Sequence, residues 1–232
     1  MFESKRIISH RGIHDNKEIY ENSLEAIKLA KEKDYIIEID IHLTKDNKIV
    51  VFHDYNTKRI TKKDMIIEKS YYQDLDSQDI IHIPLLEEVL NEIKGKVPLL
   101  IEIKQPNKVG PLEKELMKIL KDYEGEYAIQ SFNPLVLLWL KKNYPKVTRG
   151  QLSYQYKNKK MPSLEKLILK NMYLNFLTKP RFISYKYNEL PINKIKKYQK
   201  KNIKVIGWTI TSQKEYNKYI KDYDNLICEK FI

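Results

Sequence analysis

Short apolar runs alternate with helix-period segments along the 232-residue chain. The runs predict strands at Arg6–Ser9, Ile36–Ile41, Leu99–Lys104, Tyr127–Ser131, Arg149–Leu152, Phe182–Tyr185, Val205–Thr209 and Leu226–Cys228. Between them the 3.6-residue period predicts helices at Ser23–Lys33, Leu85–Ile93, Leu112–Leu120, Leu135–Lys142, Leu164–Asn171, Ile192–Lys201 and Gln213–Ile220. Such alternation implies βαβ units and a parallel sheet. Eight strands in this length imply an α/β fold of the (β/α)8 TIM-barrel type. No linker, repeat or low-complexity tract interrupts the chain, so residues 1–232 are expected to form one domain.

One apolar run does not fit a simple barrel. Ile49–His53 follows Ile41 too closely for a helical crossover, so Ile36–His53 is expected to be a β-hairpin excursion after strand two. A two-residue turn at Asp46-Asn47 would set Asp40 opposite His53. Residues 55–82 form the longest irregular stretch.

In a barrel, chemistry gathers at the C-terminal ends of the strands. Those ends carry Ser9-His10-Arg11-Gly12, Glu38-Ile39-Asp40, His53-Asp54, Glu102-Ile103-Lys104, Gln130-Ser131-Phe132 and Trp208-Thr209. Residues two apart on a strand share a face, so Glu38 with Asp40, and Glu102 with Lys104, project together. Three carboxylates buried at one mouth require a cation. All-oxygen donors suit Mg2+ or Ca2+. His10 and His53 suit an acid/base pair, because an imidazole can be either neutral or charged near neutral pH. Arg11 and Lys104 amid the carboxylates call for an anionic substrate group such as phosphate. Gly12 is expected to let the chain turn close to the ligand. His82 is read as a satisfied structural group, His14 as solvated, and His42 as a possible reach to the rim. No P-loop, dinucleotide fingerprint or serine-hydrolase elbow occurs.

Composition changes the picture in one respect. The formal charge is +12, which invites nucleic acid or an anionic membrane as partner. Yet only five basic residues are arginine, the preferred fork for bases and phosphates. Residues 1–130 hold 21 Lys and Arg against 25 Asp and Glu, whereas residues 131–232 hold 22 against 6. The surplus therefore lies away from the candidate chemistry, and nucleic acid is not expected. Tyr154–Arg181 mixes lysines with apolar positions. It is read as a barrel helix with a solvated lysine face, with weak peripheral membrane contact as the alternative. The lone Cys228 excludes an intramolecular disulfide framework. With no signal-peptide or membrane-spanning run, a cytoplasmic protein is expected. The sequence leaves the oligomeric state open.

The ordered set His10-Arg11-Gly12, Glu21-Asn22-Ser23, Glu38-Ile39-Asp40, Val50-Val51-Phe52-His53-Asp54, Ile83-Pro84, Ile101-Glu102-Ile103-Lys104, Gln130-Ser131-Phe132 and Trp208-Thr209 resembles the glycerophosphodiester phosphodiesterase family. The resemblance implies a phospholipase-C-like TIM barrel. It implies a divalent cation, Mg2+ or Ca2+, on Glu38, Asp40 and Glu102. It implies acid/base roles for His10 and His53 and substrate binding by Arg11, Lys104 and Trp208. The implied reaction hydrolyses glycerophosphodiesters, small-molecule substrates, to glycerol 3-phosphate and an alcohol, through attack by a neighbouring substrate hydroxyl. A lysophospholipase D, a cyclic-phosphate-forming lyase and a catalytically silent membrane-binding protein are the alternatives. Two positions depart from the pattern. Tyr20 replaces the usual Pro, and Cys228-Glu229 replaces a common Thr-Asp, which puts in doubt a role for the end of the last strand.

Overall fold

The computed structural model describes residues 6–77, 81–104 and 108–232. Residues 1–5, and 78–80 of the irregular stretch, lie outside that description. In chain order the strands are β1 (Ile8–His10), β2 (Ile36–Leu43), β3 (Ile49–Val51), β4 (Leu99–Ile103), β5 (Tyr127–Ser131), β6 (Arg149–Ser153), β7 (Phe182–Lys186), β8 (Lys204–Ile210) and β9 (Asn225–Cys228). The helices are α1 (Leu24–Glu32), α2 (Lys58–Thr61), α3 (Tyr72–Asp76), α4 (Leu86–Ile93), α5 (Pro111–Ile119), α6 (Pro134–Asn143), α7 (Ser163–Lys170), α8 (Asn175–Thr178), α9 (Ile192–Gln199) and α10 (Gln213–Tyr219). β1 pairs in parallel with both β2 and β9, which closes all strands but β3 into an eight-stranded barrel. β3 runs antiparallel on β2, as the hairpin reading requires.

The register of that hairpin differs from expectation by one residue. Ile41 pairs with Val51 and His42 with Val50, so Phe52 rather than His53 lies opposite Asp40, and its N–H donates to the Asp40 carbonyl at 2.9 Å. The cause is the turn. Asn47 takes a left-handed φ of 59°, and the Thr44 N–H donates to the Lys48 carbonyl at 2.9 Å. Asn tolerates this conformation, so three residues fit where two were expected. The irregular stretch is also more ordered than its sequence suggests. It packs Ile60, Ile67 and Leu75 with Val50, Phe52 and Ile83 into a small satellite core beside the hairpin.

Strand alternation builds the two apolar layers. Ile37, Ile39, Ile41, Leu99, Ile101, Ile103 and Ile129 face outward and meet Ile27, Leu86, Val89, Leu112, Leu116 and Leu137 of the surrounding helices. The opposite parity, Ile8, Ile36, Leu100, Ala128, Phe182 and Ile206, plugs the barrel interior. Gly150 makes room for that plug, since a Cβ there would lie 2.1 Å from the Phe182 ring.

Candidate active site

Two residues beyond the apolar plug, the same inward parity becomes polar. His10 follows Ile8, Glu38 follows Ile36, Glu102 follows Leu100, Gln130 follows Ala128, and Trp208 follows Ile206. All five line one cavity of about 760 Å3 at the C-terminal mouth. His53 and Asp54 enter it from the chain after β3, and Arg11 and Lys104 from the chain just beyond β1 and β4.

Glu38, Asp40 and Glu102 each offer an oxygen, and the three oxygens lie within 4.8 Å of one another. All three side chains are buried. Burial, with the charges of Asp40 and Glu102, pushes the Glu38 carboxyl well above the usual range. Glu102 is also raised by burial, opposed first by Lys104. Asp40 moves the other way. Against the cost of burial, the charges of Lys104 and Arg11 hold it far below the usual carboxylate range. Lys104 Nζ lies 3.1 Å from Asp40 Oδ1 and 2.6 Å from Glu102 Oε1. Neither oxygen is served by a well-aligned hydrogen bond, although both are sealed from solvent. Converging buried oxygens, two of them without an aligned donor, fit a hard divalent cation.

The segment after β1 supports this cluster. Arg11 has a left-handed φ of 59°, which turns its N–H toward Glu38 Oε2 at 3.2 Å. Its guanidinium reaches Asp40 Oδ2 at 3.0 Å and Glu21 Oε1 at 2.7 Å. Asn22 Nδ2 donates to Asp40 Oδ2 at 3.1 Å. Ser23 Oγ accepts from the Ala26 N–H at 3.1 Å and caps α1. Glu21, Asn22 and Ser23 thus each do separate work, clamping Arg11, holding Asp40 and starting the helix. Gly12 also serves packing. At φ 81° its missing Cβ lets the turn approach the Ala26 backbone, which a Cβ would meet at 2.6 Å.

Both expected acid/base imidazoles lie in the cavity, and each is tied through Nδ1 to a carboxylate. His10 Nδ1 is 2.7 Å from Glu229 Oε2, and His53 Nδ1 is 2.6 Å from Asp54 Oδ1. A carboxylate only accepts, so Nδ1 carries the proton and Nε2 is left for chemistry. Burial, joined by the charge of Arg11, pushes His10 down to about 4 against the pull of Glu229. Burial lowers His53 as well, opposed first by Asp40. Asp54 is held in turn by Arg59, whose Nε donates to Asp54 Oδ2 at 2.6 Å. Sequence reasoning assigned no role to Asp54, Arg59, Glu21 or Asn22, and doubted Glu229. The one signal at Glu229 was its departure from the family pattern.

The remaining histidines sort differently. His42 is buried beneath the site. Its Nε2 lies 3.2 Å from the His53 carbonyl, so it steadies the backbone of His53 and does not line the cavity. His14 is not solvated as expected. Both its ring nitrogens are sealed and find no hydrogen-bond partner among the described residues. His82 is structural, paired with Asp76 at 2.6 Å and Glu88 at 3.1 Å. Opposite the cations the wall is aromatic. Trp208 meets Phe132 edge-on at 5.6 Å, and Tyr154 stacks on Tyr156 at 4.0 Å. Trp208 Nε1 is sealed from solvent and has no hydrogen-bond partner among the described residues.

A carboxylate cluster, the two cations Arg11 and Lys104, and two oriented imidazoles around one cavity are the parts of metal-assisted hydrolysis of a phosphodiester. The comparisons agree. The model of the glycerophosphoryl diester phosphodiesterase family matches residues 10–227. A glycerophosphodiester phosphodiesterase of Caldanaerobacter subterraneus subsp. tengcongensis is 34% identical over 161 residues, 63% of this chain and 65% of that one. The protein YhdW of Bacillus subtilis (strain 168) is 28% identical over 222 residues, 90% of this chain and 87% of that one. A phosphodiesterase of Oleispira antarctica, solved with the product sn-glycerol-3-phosphate, shares the fold with a TM-score of 0.79 at 22% identity. That match covers 96% of this chain and 92% of that one. The chain belongs to the glycerophosphoryl diester phosphodiesterase family and is a phosphoric diester hydrolase.

Proposed function

We propose that this protein hydrolyses glycerophosphodiesters to glycerol 3-phosphate and an alcohol by two-histidine acid/base catalysis. The observation that carries the reading is the pair of imidazoles, His10 and His53, each fixed through Nδ1 by its own carboxylate and opening on the cavity that holds the carboxylate cluster. Glu38, Asp40 and Glu102 would hold Mg2+ or Ca2+. Such an ion, when bound, neutralises charge on the phosphoryl oxygens.

The other steps belong to the chain's own residues. Arg11 and Lys104 bind the phosphate, and Trp208 borders the substrate. One imidazole takes the proton from the substrate's neighbouring hydroxyl as its oxygen attacks phosphorus. The bond from phosphorus to the alcohol oxygen breaks, and the other imidazole, entering as the imidazolium with a second proton on Nε2, protonates that oxygen. The two then exchange roles while water opens the cyclic phosphate. An internal nucleophile accords with a cavity lined by neither Ser nor Cys among the described residues. Phosphorus NMR on glycerophosphocholine tests the reading. Glycerol 3-phosphate is the expected end product, and His10→Ala or His53→Ala should slow its release by about 10²–10⁴-fold. Accumulation of a cyclic phosphate alone, or variants as fast as wild type, would refute it.

A further inference from the structure

Behind the cavity an unbroken run of alternating charges joins one imidazole to the carboxylate cluster. His53 Nδ1 lies 2.6 Å from Asp54 Oδ1, and Asp54 Oδ2 accepts from Arg59 Nε at 2.6 Å. The other two nitrogens of the same guanidinium, Nη1 and Nη2, donate to Glu21 Oε2 at 3.1 Å and to Glu21 Oε1 at 2.5 Å. Glu21 Oε1 also accepts from Arg11 Nη1 at 2.7 Å, and Arg11 Nε lies 3.0 Å from Asp40 Oδ2. Arg59 stands at the middle of this run. Neither Arg59 nor Glu21 is among the described residues that line the cavity, so Arg59 does not meet the reacting atoms.

Arg59 joins two segments that are anchored separately. It stands on α2, inside the irregular stretch. There Thr57 Oγ1 donates to the Lys63 carbonyl at 2.8 Å, Thr61 Oγ1 donates to the Thr57 carbonyl at 3.1 Å, and Ile60 packs with Val50 and Phe52 in the satellite core. The segment that carries Arg59 is thus fixed to the strand that leads into His53. Glu21 and Arg11 belong instead to the chain between β1 and α1. A guanidinium is a rigid fork that serves two carboxylates at once, which the point charge of a lysine does not. The side chains of Arg59 and Asp54 are 44% and 24% exposed. An ion pair so near solvent adds little to stability, so its close geometry is better explained by orientation than by folding.

We propose that Arg59 is a positioning residue that acts at two places. Through Asp54 it holds the His53 imidazole, and through Glu21 it holds the Arg11 guanidinium against the phosphate. This rests on the phosphodiesterase reading and extends it. Without Arg59 the Asp54 carboxylate is free to turn, and the His53 ring loses its fixed orientation. That slows proton transfer and leaves binding alone. Glu21 loses its partner on the side away from Arg11, so Arg11 loses a fixed seat. That weakens the hold on phosphate. The irregular stretch thereby has a task in the reaction, which is to deliver one guanidinium between two parts of the site.

The test compares wild type with Arg59→Met, Arg59→Lys, Asp54→Asn and the double variant Arg59→Met/Asp54→Asn, on the whole chain with divalent cation present. Turnover is read as kcat for glycerophosphocholine. Phosphate binding is read apart from turnover, by calorimetric titration with sn-glycerol 3-phosphate. Asp54→Asn should lower kcat about 10–100-fold and leave the affinity for glycerol 3-phosphate as in wild type. Arg59→Met should lower kcat by a similar factor and also weaken that affinity at least about threefold. The double variant should be no slower than the slower single variant, within about twofold, because both changes remove the same support of His53. Arg59→Lys should recover at most one of the two losses, and it carries the test if Arg59→Met does not fold. Losses of kcat that multiply in the double variant overturn the proposal. So does an affinity unchanged in Arg59→Met, or recovery of both losses by Arg59→Lys. A smaller active fraction with kcat per competent site and affinity unchanged would mark a merely structural role and overturns it too. Turnover in wild type with any of these results defeats the positioning role alone. No turnover of glycerophosphocholine by wild type under either cation defeats the underlying reading, and the proposal with it.

Discussion

Glu229 lies 219 residues from His10 in sequence and 2.7 Å from it in space. It does so because closure of the barrel sets β9 beside β1. The carboxylate fixes which imidazole nitrogen is free, as Asp54 does for His53. Glu229 is therefore a positioning residue, and Glu229→Gln should lower kcat by about 10–100-fold with KM little changed. Glu229→Asp should recover part of the loss, and the pH–rate profile should shift with Gln but not with Asp. A fall in KM-dependent binding alone would contradict this role. Glu21 makes a different prediction. Although burial works against it, its hydrogen bonds from Arg59 and the charge of Arg11 lower it to about 2 from 4.5. A depressed carboxyl stabilises the fold above its unfolded pKa, and that stability is lost as pH falls from about 4.5 toward about 2. Glu21→Gln should therefore cost about 3 kcal/mol in urea unfolding at pH 7, with the gap to wild type closing near pH 2. His10, Glu38 and Glu102 were legible in the sequence because each stands two residues beyond an apolar strand position. Glu229 and Arg59 were not, because their partners meet them only through tertiary closure.

At the scale of elements, strand alternation was the strongest signal. It located the eight barrel strands and their helices to within a few residues, since inward and outward layers both demand apolar side chains in the same runs. The hairpin register was missed because one left-handed residue, Asn47, adds a position to the turn. The packing inside residues 55–82 was missed because its short helices lack the length to show a period. The barrel interior gives a direct test. Gly150 lies under Phe182, and Gly150→Ala would drive its Cβ into the ring. Such overpacking should cost roughly 1–3 kcal/mol in denaturant unfolding. Pairing it with Phe182→Leu should cost less than the two single changes together. Additive costs would show that the two residues do not share this space.

Over the whole molecule, the charge surplus and the carboxylate cluster occupy different parts of the chain. The carboxylate cluster lies within residues 1–130, which are net −4, while residues 131–232 carry +16. No helix among the described residues is long and apolar enough to cross a membrane. Cation binding should be visible in the stability of the whole fold. Mg2+ or Ca2+ at one hundred times its Kd contributes about 2.7 kcal/mol, a rise of roughly 5–10 °C in Tm. Glu102→Gln should lose that rise, and an equal rise in the variant would place the cation elsewhere. The most direct measurement of the central claim is kcat/KM for glycerophosphocholine, with and without added divalent cation, in wild type and Glu38→Ala. The account predicts cation-dependent turnover in wild type and a loss of at least about 10²-fold in Glu38→Ala at any cation concentration. Turnover by Glu38→Ala equal to wild type, or equal turnover of wild type after chelation, would contradict it.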